Sequence, residues 1–407
     1  MQRRSNIISN IVFVTTLAVV LVIILSVLFP ALLVVSVSPY QGDIPINPFE
    51  LGVWALPFLV VNSVLLILCV LHFTKRLPQI VEKTIRKILD FELSKPTALI
   101  IMLILISYHV GSTVQELQEV EFWGDFPGVK NAAENWSFQD GKGIANFRYF
   151  LLNLSINIFD NIRVMPFFFS VALLILTYFI TVKISQKRFS GILAVIVILQ
   201  SSLFLEYDTT ATYDNVWIVL YLVSLYTIYK KWYLSPFAFI FSVFSKALIA
   251  AFLPMSLFFI YRSGIHKKDR IKVLISYGMI ITLFIIVFYL DDSPITSPLR
   301  YYQGDFDYLS FLRGFSIFST QLRFDGLVLT LLLPLVVGLY LVSRRGIIQA
   351  DSILIMILGM LLIVPLLTSL TSITPEPYRY IPLLVFFAIG IGTLFSKRLI
   401  NRSQDLP

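Results

Sequence analysis

The sequence predicts an all-α fold, a polytopic membrane helix bundle of about twelve transmembrane helices. Three observations lead there. The 407 residues are 57% apolar and only 14% charged, where a soluble domain carries about 25% charged residues. The apolar residues fall in runs, many of them near the roughly 20 residues that a bilayer crossing needs. The Lys and Arg residues gather in every second connection between those runs. A disordered chain, a disulfide-stapled secreted module and an ordinary cytosolic enzyme are all excluded by this composition. The net charge of +8 follows from basic residues kept on one side of a membrane, so no nucleic-acid partner is implied. Cys69 is the single cysteine, which excludes an intrachain disulfide and a Cys-based zinc site. His72, His109 and His266 lie far apart, and no clear ligand motif for a divalent metal or other cofactor is present.

The runs lie near residues 9–37, 51–73, 97–113, 164–183, 190–205, 213–229, 233–246, 248–261, 271–290, 326–343, 352–371 and 380–396. The seventh and eighth are short and read equally as one re-entrant pair. The first follows Arg3 and Arg4 and is too long for a signal-peptide core. No small-residue cleavage site comes after it, so it is expected to stay as an anchor. With the N-terminus inside, 23 of the 32 basic residues fall on inner segments, and every inner segment holds at least two. Both termini are then cytoplasmic, in a prokaryotic plasma membrane or an ER-type membrane. The outer face holds 18 of the 24 carboxylates, which serves only as a clue to a site.

Residues 1–96 read as an N-terminal hairpin followed by an inner amphipathic helix. In the stretch from Lys75 to Lys95, Leu77, Ile80, Val81, Ile85, Ile88 and Leu89 fall at helical spacing with Lys83, Arg86 and Lys87 between them. Such a helix lies on the inner leaflet. Residues 97–407 form the main transmembrane domain, with two long outer loops at 111–163 and 291–325. Long loops on a rigid scaffold are where binding residues gather. The first carries Glu116, Glu119, Glu121, Asp125, Glu134 and Asp140 among aromatic residues, then the amphipathic segment Asn146–Asp160, expected to be an outer interfacial helix. The next outer turn, Phe204–Asn215, sets Glu206, Asp208 and Asp214 at the membrane edge, where acidic groups are costly unless they face a cavity or a partner. Lys246 stands between two apolar runs at the outer tip of a short hairpin, and Arg379 at the outer start of the last run. Carboxylates, one Lys and one Arg on the outer end of an apolar bundle suit an amphipathic substrate. Phosphate favours Lys and Arg, and a hydroxyl acceptor favours a carboxylate base.

In their order these features resemble the GT-C fold glycosyltransferases that use lipid-phosphate sugars, of the protein-mannosyltransferase or aminoarabinose-transferase type. The similarity is carried by RYFLLNLSINIFDN (Arg148–Asn161), Arg163-Val164-Met165-Pro166, EYDTTATYDNVWIVLYLVSLY from Glu206, Ser245-Lys246, and Arg379-Tyr380-Ile381-Pro382. It covers roughly Thr97–Lys397. Two features depart from the family pattern: the added N-terminal hairpin, and the lack of a paired acidic motif around Asp125. The resemblance implies an inverting transfer from a polyprenyl-phosphate-linked sugar to an unknown acceptor (glycan, lipid or protein) on the non-cytoplasmic face. Asp125 would be the base, with Glu119 and Glu121 as alternatives; Lys246 and Arg379 would hold the phosphate.

Each residue also has a plainer role. Asp125 before Phe-Pro-Gly suits a turn cap, and Asp214 an N-cap of the sixth run. Lys246 can snorkel, and Arg379 can contact lipid. Glu206 and Asp208 can orient an acceptor or pair with a basic residue. Two other functions share the architecture: a secondary transporter, or a non-catalytic membrane subunit that keeps the scaffold. No repeated halves with Gly/Pro-broken midplane helices are evident, as many transporters have.

Overall fold

The computed structural model describes residues 2–32, 47–137, 147–290, 305–321, 325–370 and 376–397. Among them there is helix and no strand. Apolar segments in lipid become helical because each backbone donor must find its acceptor within the segment once water is gone. In chain order the helices are α1 (Gln2–Leu28), α2 (Ala55–Phe73), α3 (Gln79–Asp90), α4 (Lys95–Thr113), α5 (Phe126–Glu134), α6 (Phe147–Phe159), α7 (Val164–Ser185), α8 (Arg188–Leu199) and α9 (Ser202–Tyr207). They continue with α10 (Val216–Thr227), α11 (Leu234–Ser245), α12 (Leu253–Arg262), α13 (Lys267–Leu290), α14 (Tyr308–Gln321), α15 (Gly326–Arg344), α16 (Ala350–Leu370) and α17 (Ile381–Leu394). Short 3-10 turns at Val114–Gln118, Ala247–Phe252 and Pro377–Tyr380 adjoin α4, α12 and α17.

Among the described residues, seven segments are long and apolar enough to cross a membrane: Asn6–Leu28, Ala55–Phe73, Lys95–Gln118, Val164–Ser185, Gly326–Arg344, Ala350–Leu370 and Pro377–Leu394. Four shorter apolar helices, Arg188–Leu199, Val216–Thr227, Leu234–Ser245 and Ala247–Arg262, lie among them. The chain is thus an integral membrane protein, all-helical over the described residues.

The last span is the centre of the bundle: 78% of its apolar window is buried, against 6% for Ala55–Phe73 at the periphery. Helix α17 packs on α7, α8, α15 and α16. Gly392 allows the closest of these approaches, because a Cβ there would stand 2.5 Å from the Ser190 carbonyl oxygen on α8. Helix α1 belongs to the same core. Its Val12, Val20, Ile23 and Val27 join the main hydrophobic cluster, and it packs on α14, α15 and α16. Near its N-terminal end, Ser9 donates to Asp351 at 2.7 Å and meets Arg262, which forms a buried ion pair with the same carboxylate.

Two elements between the long apolar segments position the candidate residues. Helices α5 and α6 pack together through a small second cluster of Val129, Ala133, Leu152, Ile162 and Ala211. This cap clamps the 111–163 loop onto the Phe204–Asn215 turn. The amphipathic segment expected at Asn146–Asp160 is α6, at Phe147–Phe159. The other element, α14, lies within the 291–325 loop and was not anticipated. Arg313 and Gly314 interrupt its apolar pattern, and it has only 14 residues. It forms because Gly314 lets it lie against Pro365, to which a Cβ would come within 2.4 Å, and because Phe318 fills a buried place beside Tyr380.

Helix α3 has no buried residue. Ile80, Ile85 and Ile88 remain exposed alongside Lys83, Arg86 and Lys87. Residues 33–46, 138–146 with Phe138 and Asp140, 291–304, 322–324, 371–375 and 398–407 with Arg398 and Arg402 lie outside the described residues.

Candidate active site at the Phe204–Asn215 turn

The turn after α9 is built from polar groups that the bundle buries. Asp208, Thr209, Thr210, Ala211, Thr212 and Asp214 are all buried, so their backbone groups need partners. Glu121 supplies one set. Its carboxylate accepts from the Ala211 and Thr212 amides and from the Thr212 hydroxyl, the last at 2.6 Å. Arg148 on α6 supplies another: it pairs with Asp214 at 2.6 Å and donates to the Ala211 and Thr212 carbonyls at 2.8 and 2.6 Å. Arg163, at the start of α7, donates to the carbonyls of Glu116, Glu119 and Thr209 and to the Thr209 hydroxyl. Two arginines and one glutamate therefore fix the turn against both outer helices and the first loop.

Asp208 lies deeper. Its carboxylate is fully buried, 3.6 Å from His109 Nδ1 on α4. Burial first, then the nearby Glu116 charge, push its carboxyl up to about 8 against the opposing pull of Arg163. Asp208 therefore holds a proton at neutral pH. Asp214 accepts from the Val216 amide at 3.1 Å as well as pairing with Arg148. The N-cap position of α10 belongs to Asn215, which makes no side-chain cap hydrogen bond, so Asp214 stands one residue before the cap expected of it and accepts from the first helical amide instead.

Beside this turn, three separated parts of the chain meet. Lys246 breaks the helix between α11 and the following 3-10 turn with extended backbone angles, φ −153° and ψ 110°. That break lets its side chain leave the helical path, and its Nζ donates to the Tyr378 hydroxyl at 2.7 Å. Arg379 Nε donates to the same oxygen at 3.3 Å. The Tyr378 ring stacks on Tyr213 with centroids 4.4 Å apart and planes 14° from parallel. The Tyr213 hydroxyl in turn donates to Asp125 Oδ2 at 3.3 Å. Trp123 closes the aromatic wall, stacked on Tyr207 at 5.4 Å and edge-on to Tyr213 at 5.1 Å.

Asp125, Lys246 and Arg379, which lie far apart in the sequence, are thus joined through two stacked tyrosines. Asp125 is exposed and precedes α5 without a side-chain cap hydrogen bond. The turn-capping alternative has no contact behind it. Glu119 is exposed, with its backbone carbonyl rather than its carboxylate engaged by Arg163. Glu121 is committed to the turn. Glu206 is exposed on α9. Among the described residues no three His, Cys, Asp or Glu side chains gather as metal ligands.

The sequence missed Arg148, Tyr213 and Tyr378, and gave Arg163 no task of its own. Arg148 and Arg163 sit inside the quoted motifs, and two arginines flanking an apolar outer helix were a usable signal. The tyrosines gave none, since aromatic residues in a membrane protein are expected in the core and at the interfaces.

Compared with known proteins, the chain matches no family model, no curated protein and no solved structure.

Proposed function

We propose that this protein is a membrane glycosyltransferase of GT-C type, with about twelve membrane crossings and both termini in the cytoplasm. It moves a sugar from a polyprenyl-phosphate donor to an acceptor at the outer face. One observation carries the reading: a lysine and an arginine from distant parts of the chain meet at one oxygen, and two stacked rings link that oxygen to an exposed carboxylate. Lys246 and Arg379 hold the donor phosphate, with the polyprenyl chain in the bilayer. Helix α3 lies on the inner leaflet, which leaves the outer cap as the reacting end.

The chemistry follows from charge. Asp125 accepts the proton of the acceptor hydroxyl as its oxygen bonds to the sugar's anomeric carbon. The bond from that carbon to the phosphate oxygen breaks, and the electron pair leaves with the polyprenyl phosphate. The phosphate gains one negative charge in this step. Fixed cations stabilise it more than water does because they need no reorganisation. Glu121, Arg148 and Arg163 hold the turn that carries Tyr213, and so set the place of Asp125 at one remove.

Turnover of a polyprenyl-phosphate-linked sugar by the purified protein, assayed beside Lys246→Met and Arg379→Met, tests the reading. Each variant is expected to lose donor affinity by roughly 10- to 100-fold, the size of one charged hydrogen bond, while staying folded. Transport of the intact donor across the membrane without cleavage would favour a carrier instead.

A further inference from the structure

A phenol oxygen that accepts from both a lysine and an arginine is an unusual resting arrangement. Lys246 Nζ and Arg379 Nε both direct N–H donors at the Tyr378 oxygen, at 2.7 and 3.3 Å. The phenol is buried at 4% exposure, so water does not supply that contact. An oxyanion accepts such donors better than a neutral oxygen does, because charge-assisted hydrogen bonds are roughly twice as strong. From this geometry we infer that the Tyr378 hydroxyl is a placeholder: it occupies the locus of a donor phosphate oxygen and is displaced when the lipid phosphate binds. The inference rests on the lipid-phosphate reading of this site and adds how the site is kept when empty.

Displacement has a consequence for the rest of the site. The Tyr378 ring is stacked on Tyr213, and the Tyr213 hydroxyl is on Asp125. When the phenol yields the cations to phosphate, the stack shifts and Tyr213 changes its hold on Asp125. The carboxylate is then turned to the acceptor only when donor is present. Tyr378 and Tyr213 are positioning residues in this scheme. Neither gains or loses a covalent bond.

The test is binding of a polyprenyl monophosphate to the full-length protein in lipid nanodiscs. Tyr378→Phe keeps the ring and the stack and removes the competing oxygen. It should bind the lipid phosphate roughly three- to tenfold more tightly than wild type, the size of one net hydrogen bond. In a Lys246→Met background the gain from Tyr378→Phe should vanish, since one of the two contested donors is gone. A merely structural tyrosine would give no gain in either background. Tyr213→Phe, which keeps the stack, should leave the affinity within about twofold of wild type. Unchanged or weaker binding by Tyr378→Phe, with weaker binding by Lys246→Met, would overturn the placeholder and leave the phosphate site standing. No binding by the wild type would remove both.

Discussion

Two basic side chains near opposite ends of the Ala247–Arg262 segment have different surroundings. Arg262 is buried and faces Asp351, and Ser9 adds a hydroxyl to the same carboxylate. Lys246 is part-buried and donates to the Tyr378 hydroxyl, while the nearby carboxylate Asp214 is already paired with Arg148. A charge buried against its counter-charge is a structural part, whose removal costs the fold. A basic side chain that donates to a hydroxyl rather than to a carboxylate keeps the capacity to receive an anion. The Arg262–Asp351 pair ties α1, α12 and α16 together; Lys246 stands where three separated segments and an exposed carboxylate meet.

The largest expected effect lies at Asp125. Asp125→Asn keeps the shape of the side chain and removes its charge. Turnover of the lipid-linked sugar should fall by roughly 10²–10⁴-fold, with polyprenyl-phosphate binding nearly unchanged, because a base acts on the acceptor proton in the transition state. Glu119→Gln, in contrast, should retain turnover within a few-fold. Collapse in Glu119→Gln with near-normal Asp125→Asn would move the base to Glu119.

At the Arg262–Asp351 pair the effect should appear in stability. Arg262→Met leaves Asp351 buried beside an apolar side chain, a loss of about 3–5 kcal/mol for a broken buried pair. Thermal unfolding in detergent should show a lowered midpoint, and replacing both partners, as Arg262→Met with Asp351→Leu, should recover much of it. A midpoint for Arg262→Met equal to wild type would erase the contrast between the two ends.

The smallest effect concerns Asp208. Its folded carboxyl titrates at about 8, against 3.8 ordinarily. Between about pH 4 and pH 8 the folded protein therefore binds one proton more than the unfolded chain, and stability falls as pH rises through that window. Asp208→Asn should unfold near the wild-type midpoint at pH 5 and show a shallower decline towards pH 8. Equal slopes for the two proteins would mean that Asp208 is charged in the fold.

Much of the architecture was legible because lipid imposes a simple rule on sequence. Long apolar runs became helices, and the short segment at Asn146–Asp160 did so where its pattern said it would. Helix α14 was hidden because Arg313 and Gly314 break its periodicity; Gly314 is there for contact with Pro365 rather than for helix formation. The candidate site was legible by residue type only in part. Lys246 and Arg379 stood out because a cation among apolar neighbours needs a reason. Asp125, Glu119 and Glu121 could not be separated, since nothing in the spacing foretells that Glu121 folds under the Ala211–Thr212 amides while Asp125 stays exposed. Tyr213 and Tyr378 were invisible among 19 tyrosines, because their role depends on a stacking geometry that only the fold creates.

The most direct measurement is a titration of polyprenyl monophosphate against the wild-type and Lys246→Met proteins in nanodiscs, with thermal unfolding recorded on the same samples. Loss of roughly 10- to 100-fold in affinity, with an unfolding midpoint near wild type, is the expected result for a cation kept for an anion. Equal affinity in both proteins, with a lowered midpoint in the variant, would make Lys246 a structural cation like Arg262 and contradict the outer site.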